Sequence, residues 1–519
     1  MTKYFLIIIA LLFSYFVDAQ VFTSDLPIIV IYTNGETLED DPKKLCAFGI
    51  IDNGGQINTS TDPLNSFSGI AGVEIRGNST QGFDNKSYAV QLWDSDSVKV
   101  PGSLLGMGKD EDWVLHAMHI DKSLLRIPMT FHLSEMMGQY TSRWRYVELV
   151  INDEYRGLYT LVEKIKQGPE RVDISPIGAT DDTGGYILRI DWDEDNGGFN
   201  SDYKSMAGSD MKFIYYYPKG KGMNVTQKDN LKSSMRNFED ALFNNDFINT
   251  NGDSLRNLVD LKSFADFIIV NELSKNSDGY KLSSYVHKDS DLINSKWKAG
   301  PIWDFDQTYG ASTVCSGDNY SGWTFLQNYN GCEDLNSMPM WYESLVSNPE
   351  FCQLLSDNWT TYRSSFLHLD SMNLWIDEHE QLIKTARERN FQKWDIIGKQ
   401  IWIEPDGFPE TYDGEITQLK TWAKNRFEWM DRNIDKLCNY MTVDERVKVF
   451  PNPTSGKLTI EVISGTHIAI SDMAGRIIWN TGLIKESQYI IDTSTLAIGC
   501  YIIYSKSSRG TFSSKFVVQ

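Results

Sequence analysis

The chain has 519 residues, and 70 Asp and Glu against 49 Lys and Arg leave a formal net charge of −21. A face that holds nucleic acid or an anionic membrane needs a local excess of Lys and Arg, so this balance argues against both as partners. One core rarely serves more than about 250–300 residues, so two or three folding units are expected.

The first residues read as an export signal: Met1-Thr2-Lys3, an apolar run from Phe5 to Phe13, then Val17-Asp18-Ala19 before Gln20. A membrane anchor needs about 20 apolar residues, and this run is shorter and is interrupted at Asp18. Residues 1–19 are therefore predicted to be removed, and no integral membrane segment follows them. The six cysteines, Cys46, Cys315, Cys332, Cys352, Cys438 and Cys500, include no Cys-x-x-Cys, which argues against zinc. In an exported chain they permit disulfides, and Cys315 with Cys332, bracketing the stretch Ser316 to Gly331, is the preferred pair over free buried thiols.

From Leu26 to Tyr32 and from Cys46 to Ile51 the chain reads as short strands, a small sheet that starts the mature protein. Strands around Val73-Glu74-Ile75 and Tyr88 to Leu92 are joined by a donor-rich loop from Arg76 to Lys86. Asp121 is placed to cap a helix over Lys122–Met137, and Gly138 supplies the stop. A hairpin follows, with Val147, Leu149 and Ile151 on one strand, a turn at Asn152-Asp153-Glu154, and a return from Tyr155 to Val162 leading into Glu163-Lys164. Another strand runs from Gly185 to Ile190. Beyond about residue 225 the period becomes helical: Leu261, Phe264, Ala265 and Ile268 share a face, with Asp260 as cap and an end near Lys275. Helical segments recur near 338–366, 369–395 and 415–440. After Met441 only short strands and turns remain. The predicted fold class is α+β: residues 20–441 as a β-rich N-lobe and a helical C-lobe, and residues 442–519 as a small all-β sandwich.

The chemically suggestive residues cluster between Asn271 and Gly310, where Asn276-Ser277-Asp278-Gly279-Tyr280 and Trp303-Asp304-Phe305-Asp306 flank a short strand pair. Carboxylates at adjacent strand ends can present a divalent ion to phosphates, because Mg²⁺ prefers oxygen ligands. Asp278 can orient an attacking hydroxyl or take its proton. By spacing alone these aspartates read first as Asx-turns, caps and strand terminators. His116 and His119 alternate with apolar residues and, like His132, read as partly buried structural histidines. Trp303 and Trp422 sit in patterns of core packing rather than of a sugar platform.

Several segments together resemble the spore-coat CotH kinase family, an atypical protein-kinase-like fold, over roughly residues 25–440. The carriers are Ile75 to Ser79 with Lys86-Ser87-Tyr88, Asp112 to Leu115, Asp121 to Arg126, and Tyr146-Val147-Glu148 with Tyr155 to Ile165. Further carriers are Gly184 to Leu188, Glu272-Leu273 with Asn276 and Asp278, Pro301 to Asp306, and Trp422 to Trp429. The resemblance implies a two-lobe kinase-like domain that transfers the γ-phosphate of ATP, with Mg²⁺ (or Mn²⁺), to Ser or Thr of an exported or surface protein. It implies Asp278 as the catalytic-loop aspartate, Asp304 as the metal-binding aspartate and Asp306 as a weaker second ligand. Lys86, beside the loop that carries Arg76 and Ser79, is expected to neutralise the ATP phosphates. Glu135 and Glu163 both qualify to orient it, with Glu163 preferred, and Arg126 is a candidate for phosphate contact or for a salt bridge. One departure stands out: where kinases place a second metal-binding Asn, five residues after the catalytic Asp, this chain has Ser283. That departure, with the scarcity of ATP outside the cell, leaves as alternatives a catalytically inactive kinase-like binding or structural surface protein and a polysaccharide-associated surface module.

The segments Phe450-Pro451-Asn452-Pro453-Thr454-Ser455-Gly456, Asp472 to Arg476 and Leu496 to Tyr501 resemble the C-terminal sorting domain of the type IX secretion system. This implies a Bacteroidetes-type source, the type IX machinery as a partner, and a secreted or cell-surface location.

Overall fold

Apolar alternation in the first third of the chain extends the small sheet expected at its start into a closed barrel. The computed structural model describes residues 21–178, 184–192, 197–205, 208–244, 246–294, 296–326, 338–442, 448–461, 466–473, 475–484, 488–507 and 510–519. The predicted export signal lies outside the described residues. Seven strands make the barrel: β1 Ile28–Tyr32, β2 Lys44–Ile51, β3 Phe67–Arg76, β4 Ser87–Trp93, β5 Asp112–Ala117, β6 Trp144–Ile151 and β7 Glu154–Glu163. Their order is β1-β2-β3-β4-β5-β7-β6, antiparallel throughout except for the closing seam, where β1 runs parallel to β6 and Ile28 faces Glu148. Closure removes the sheet edges and turns one face of every strand inward. Ile29, Phe48, Val73, Trp113, Leu149 and Leu161 fill the interior.

The barrel's compact unit comprises residues up to 119, residues 144–164 and residues 381–395. That last segment carries a helix, Lys384–Lys393, that packs on β7. Asn390 Oδ1 accepts the Leu158 N–H at 3.0 Å, Trp394 Nε1 donates to the Arg156 carbonyl at 2.8 Å, and Arg389 forks onto buried Glu148 at 2.9 and 2.7 Å. Gly157 permits this approach: its φ is +123° and an added Cβ would stand 2.7 Å from Asn390 Oδ1.

The second unit holds residues 120–143, 165–380 and those from 396 on. A five-stranded sheet has the order β9-β10-β8-β11-β12, with β8 Tyr186–Ile190, β9 Gly198–Lys204, β10 Asp210–Tyr217, β11 Ser284–Lys288 and β12 Lys298–Ala299. Its helices are α1 Arg126–Met136, α2 Val225–Phe243, α3 Leu261–Ser274, α4 Trp341–Ser347, α5 Pro349–Arg363, α6 Leu369–Leu382 and α7 Tyr412–Thr442. Asp260 caps α3 through the Ser263 N–H at 3.1 Å, and Lys275 ends it in the left-handed region at φ 49°, as the sequence predicts. The first helix starts four residues later than expected. Asp121 does bind a helix N–H, but it is that of Arg126, because residues 121–125 fold into a turn with Leu124 at φ 63°. α7 covers the helical segment expected near 415–440, and its Leu419, Trp422, Phe427 and Met430 are buried along one stripe.

Residues 448–518 form two antiparallel sheets, of three and four strands. Leu458, Ile460 and Ile491 from one sheet meet Ile468, Ile470, Ile503 and Phe516 from the other, which makes a sandwich. Cys315 and Cys352 are each in a disulfide, whereas Cys46 and Cys500 are free thiols. Cys332, the expected partner of Cys315, lies outside the described residues. No helix of the described residues is long and apolar enough to cross a membrane. The His119 ring is half-buried, and burial pulls its pKa below the usual range. His132 stacks on Trp375 with ring centres 5.8 Å apart.

Candidate active site

Two loops of the second unit converge because of strand direction. In the antiparallel pair β11–β12, Val286 faces Ala299 and His287 faces Lys298, so the start of β11 and the end of β12 lie at one end of the sheet. The Asn276–Ser283 segment enters β11 there, and the segment with Asp304 and Asp306 leaves β12. The backbone is tightly specified on both sides. Tyr280, Ser283 and Asp304 all adopt left-handed φ values, 73°, 45° and 69°. Such values cost non-glycine residues of order 1–3 kcal/mol each and persist only where surrounding structure imposes them.

Tyr280 shows what imposes them. It is fully buried and donates its hydroxyl to Glu272 Oε1 at 2.9 Å. Glu272, on α3, also accepts the N–H groups of Thr324 and Phe325 at 2.7 and 3.0 Å and pairs with Arg426 of α7 at 3.1 Å. Arg426 is buried too, and donates to the carbonyls of Glu272, Tyr320 and Gly322 at 2.7–2.8 Å. This buried ion pair therefore anchors both the loop that carries Asp278 and the chain beyond Asp306. The Tyr309 N–H, bonded to the Ser274 carbonyl at 2.8 Å, ties the second loop to the end of α3.

Within this frame the structure brings Asp278, Asp304 and Asp306 together and adds Asp121, which the sequence reading treats only as a helix cap. Asp304 is exposed, Asp278 half-buried and Asp306 buried. Burial, then the charges of Asp304, Asp121 and Asp278, raise the Asp306 carboxyl well above the usual carboxylate range. Ser283 Oγ lies 3.4 Å from Asp304 Oδ2. Arg126 is buried, with Nε 2.9 Å from the Thr308 carbonyl and Nη1 on Asp121.

Arg76, Ser79, Lys86 and Glu163 belong to the barrel unit. Arg76 ends β3 opposite Ser87, and Ser79 begins a short 3₁₀ turn, Ser79–Gly82. Lys86 Nζ donates to the Gln81 carbonyl at 2.6 Å and so closes the loop on itself. From β7, the Tyr159 hydroxyl bonds Asn85 Oδ1 and the Lys86 carbonyl at 2.6 and 2.9 Å, which fixes the base of the loop. Gly77 has φ +103°, and an added Cβ would come within 2.1 Å of Thr80 Oγ1. Glu163 is fully buried and accepts the Gly108 N–H at 3.2 Å. Through Trp113 it lies level with Val90, two strands over from Lys86 and farther along β4. Glu135, the other candidate, is exposed on α1.

Spacing carries no signal for the Glu272–Arg426 pair, since 154 residues separate the two; both sit in the segments that carry the family resemblance. A family model described as CotH kinase protein matches residues 73–430, and one described as secretion system C-terminal sorting domain matches residues 448–519. No curated protein matches the chain.

Proposed function

The chain belongs to the CotH kinase protein family and ends in a type IX secretion sorting domain that marks a secreted or cell-surface protein, and from that premise we propose that it is an ATP-dependent Ser/Thr protein kinase. In this reading the barrel stands as the N-lobe and the helical unit as the C-lobe of a kinase-like fold. The observation that carries it is the buried Asp306 among Asp304, Asp278 and Asp121. Like charges this close disfavour ionisation of the buried member, and a hard divalent cation with oxygen ligands relieves that repulsion.

The residues present fit Mg²⁺ or Mn²⁺, with Asp304 and Asp306 as its ligands. When bound, the ion would neutralise charge on the ATP phosphates. Asp278, half-buried at the start of its loop, orients the acceptor hydroxyl and takes its proton. Lys86, with Arg76 and Ser79 in the same loop, supplies positive charge and donors to the phosphates; Glu163, level with Val90 two strands over, is too far along the barrel to orient it. A second reading, a kinase-like binding protein without turnover, is favoured by Ser283, which stands where kinases hold a second metal with Asn.

The test incubates the protein with γ-labelled ATP, Mg²⁺ or Mn²⁺ and a Ser/Thr-rich acceptor, beside Asp278→Ala and Asp304→Ala. Labelled acceptor that disappears in both variants supports the kinase. Absence of label together with absence of a nucleotide-induced thermal shift supports the binding protein.

A further inference from the structure

Asp121 stands among the aspartates of the candidate metal site, and most of its acceptor capacity is spent within the protein. Oδ1 accepts the Ser123 N–H at 3.0 Å, the Ser123 hydroxyl at 2.5 Å and Arg126 Nη1, and Oδ2 accepts the Arg126 N–H at 2.8 Å. A carboxylate offers about four acceptor sites, two on each oxygen, so Oδ1 is fully engaged and Oδ2 keeps one site. Arg126 in turn spans two elements. Its Nη1 holds Asp121 and Ser123 Oγ at the start of α1, and its Nε–H holds the Thr308 carbonyl two residues beyond Asp306. Thr308 is buried, and its hydroxyl donates to the Phe305 carbonyl at 2.6 Å, so the guanidinium bond is passed to the backbone between the two aspartates.

We infer that Arg126 is a positioning residue, which sets the loop of Asp304 and Asp306 and so its affinity for a divalent cation, with Asp121 as its counter-charge. The inference rests on the metal-site reading above. A guanidinium is needed because its planar fork reaches carboxylate and carbonyl at once, which a single ammonium on a flexible stem does not. Groups that hold metal ligands in place typically change affinity by about 10–100-fold when altered.

Mn²⁺ binding to the full chain, measured by titration calorimetry without nucleotide, tests this on Arg126→Lys, Arg126→Gln and Tyr362→Phe. Arg126→Lys keeps the charge and is expected to weaken Mn²⁺ binding at least about tenfold. Arg126→Gln discriminates further: removing a nearby cation would tighten Mn²⁺ binding if Arg126 acted only through its charge, whereas loss of positioning weakens it. Tyr362→Phe deletes one buried bond to Asp266, a merely structural loss, and leaves the affinity unchanged. Wild-type affinity in Arg126→Lys, or tighter binding in Arg126→Gln, overturns the inference. No Mn²⁺ binding by the wild-type protein overturns the metal-site reading itself and the inference with it.

Discussion

Replacing Arg426 with Met removes the cation that joins Glu272, and through it Tyr280 of the Asp278 loop, to the chain at Tyr320 and Gly322, while keeping an apolar stem of similar length. Burial lowers the Arg426 pKa to about 10, so the residue remains charged at neutral pH. The variant leaves the carbonyls of Glu272, Tyr320 and Gly322 without this donor and Glu272 without its guanidinium partner. It also removes the guanidinium from over the Trp429 ring, 4.7 Å away. Breaking a buried pair from one side costs about 3–5 kcal/mol, so a loss of that size is expected in urea unfolding. Glu272→Gln keeps an acceptor for Tyr280 and the Phe325 N–H at the Oε1 position but turns an amide donor toward the Thr324 N–H and Arg426, so a loss of similar size is expected. The double-mutant cycle then isolates the pair, with a coupling energy of about 2 kcal/mol or more expected. A loss below about 1 kcal/mol in Arg426→Met, or coupling near zero, would refute the claim that this pair anchors the Asp278 loop.

Burial raises the Glu415 carboxyl from 4.5 to about 7, against the opposing pull of Arg126 and Lys122. A raised acid contributes stability that is fully present below its unfolded pKa and lost as pH rises through the folded value. Glu415→Gln should therefore gain on the wild type between pH 5 and 8, by at most about 3 kcal/mol, in urea midpoints measured across that range. Parallel pH curves would contradict this. Gly77→Ala combines a left-handed φ with a Cβ contact on Thr80 Oγ1, and is expected to destabilise the barrel by about 1–2 kcal/mol and to raise the KM for ATP. Unchanged melting temperature and KM would count against it.

The Asp278 and Asp304 loops were legible because period-2 strands bounded by acidic turns fix which ends meet. Barrel closure was not, since it rests on a parallel seam between Ile28 and Glu148, whose strands are separated in the chain by most of the barrel. Asp121 was identified as a helix cap, but its partnership with Arg126 depends on a five-residue turn that shifts the helix start. The burial of Glu163 and Glu272 had no local signal, because what surrounds a carboxylate is set by packing, not by its neighbours in sequence.

The most direct measurement is intact-mass and phosphosite analysis of the protein and a Ser/Thr acceptor after incubation with ATP and Mg²⁺, comparing wild type with Asp278→Asn. Phosphate on Ser or Thr that appears only with the wild-type enzyme is the predicted result. Acceptor and enzyme that remain unmodified, or phosphate that accumulates equally with Asp278→Asn, would contradict the account.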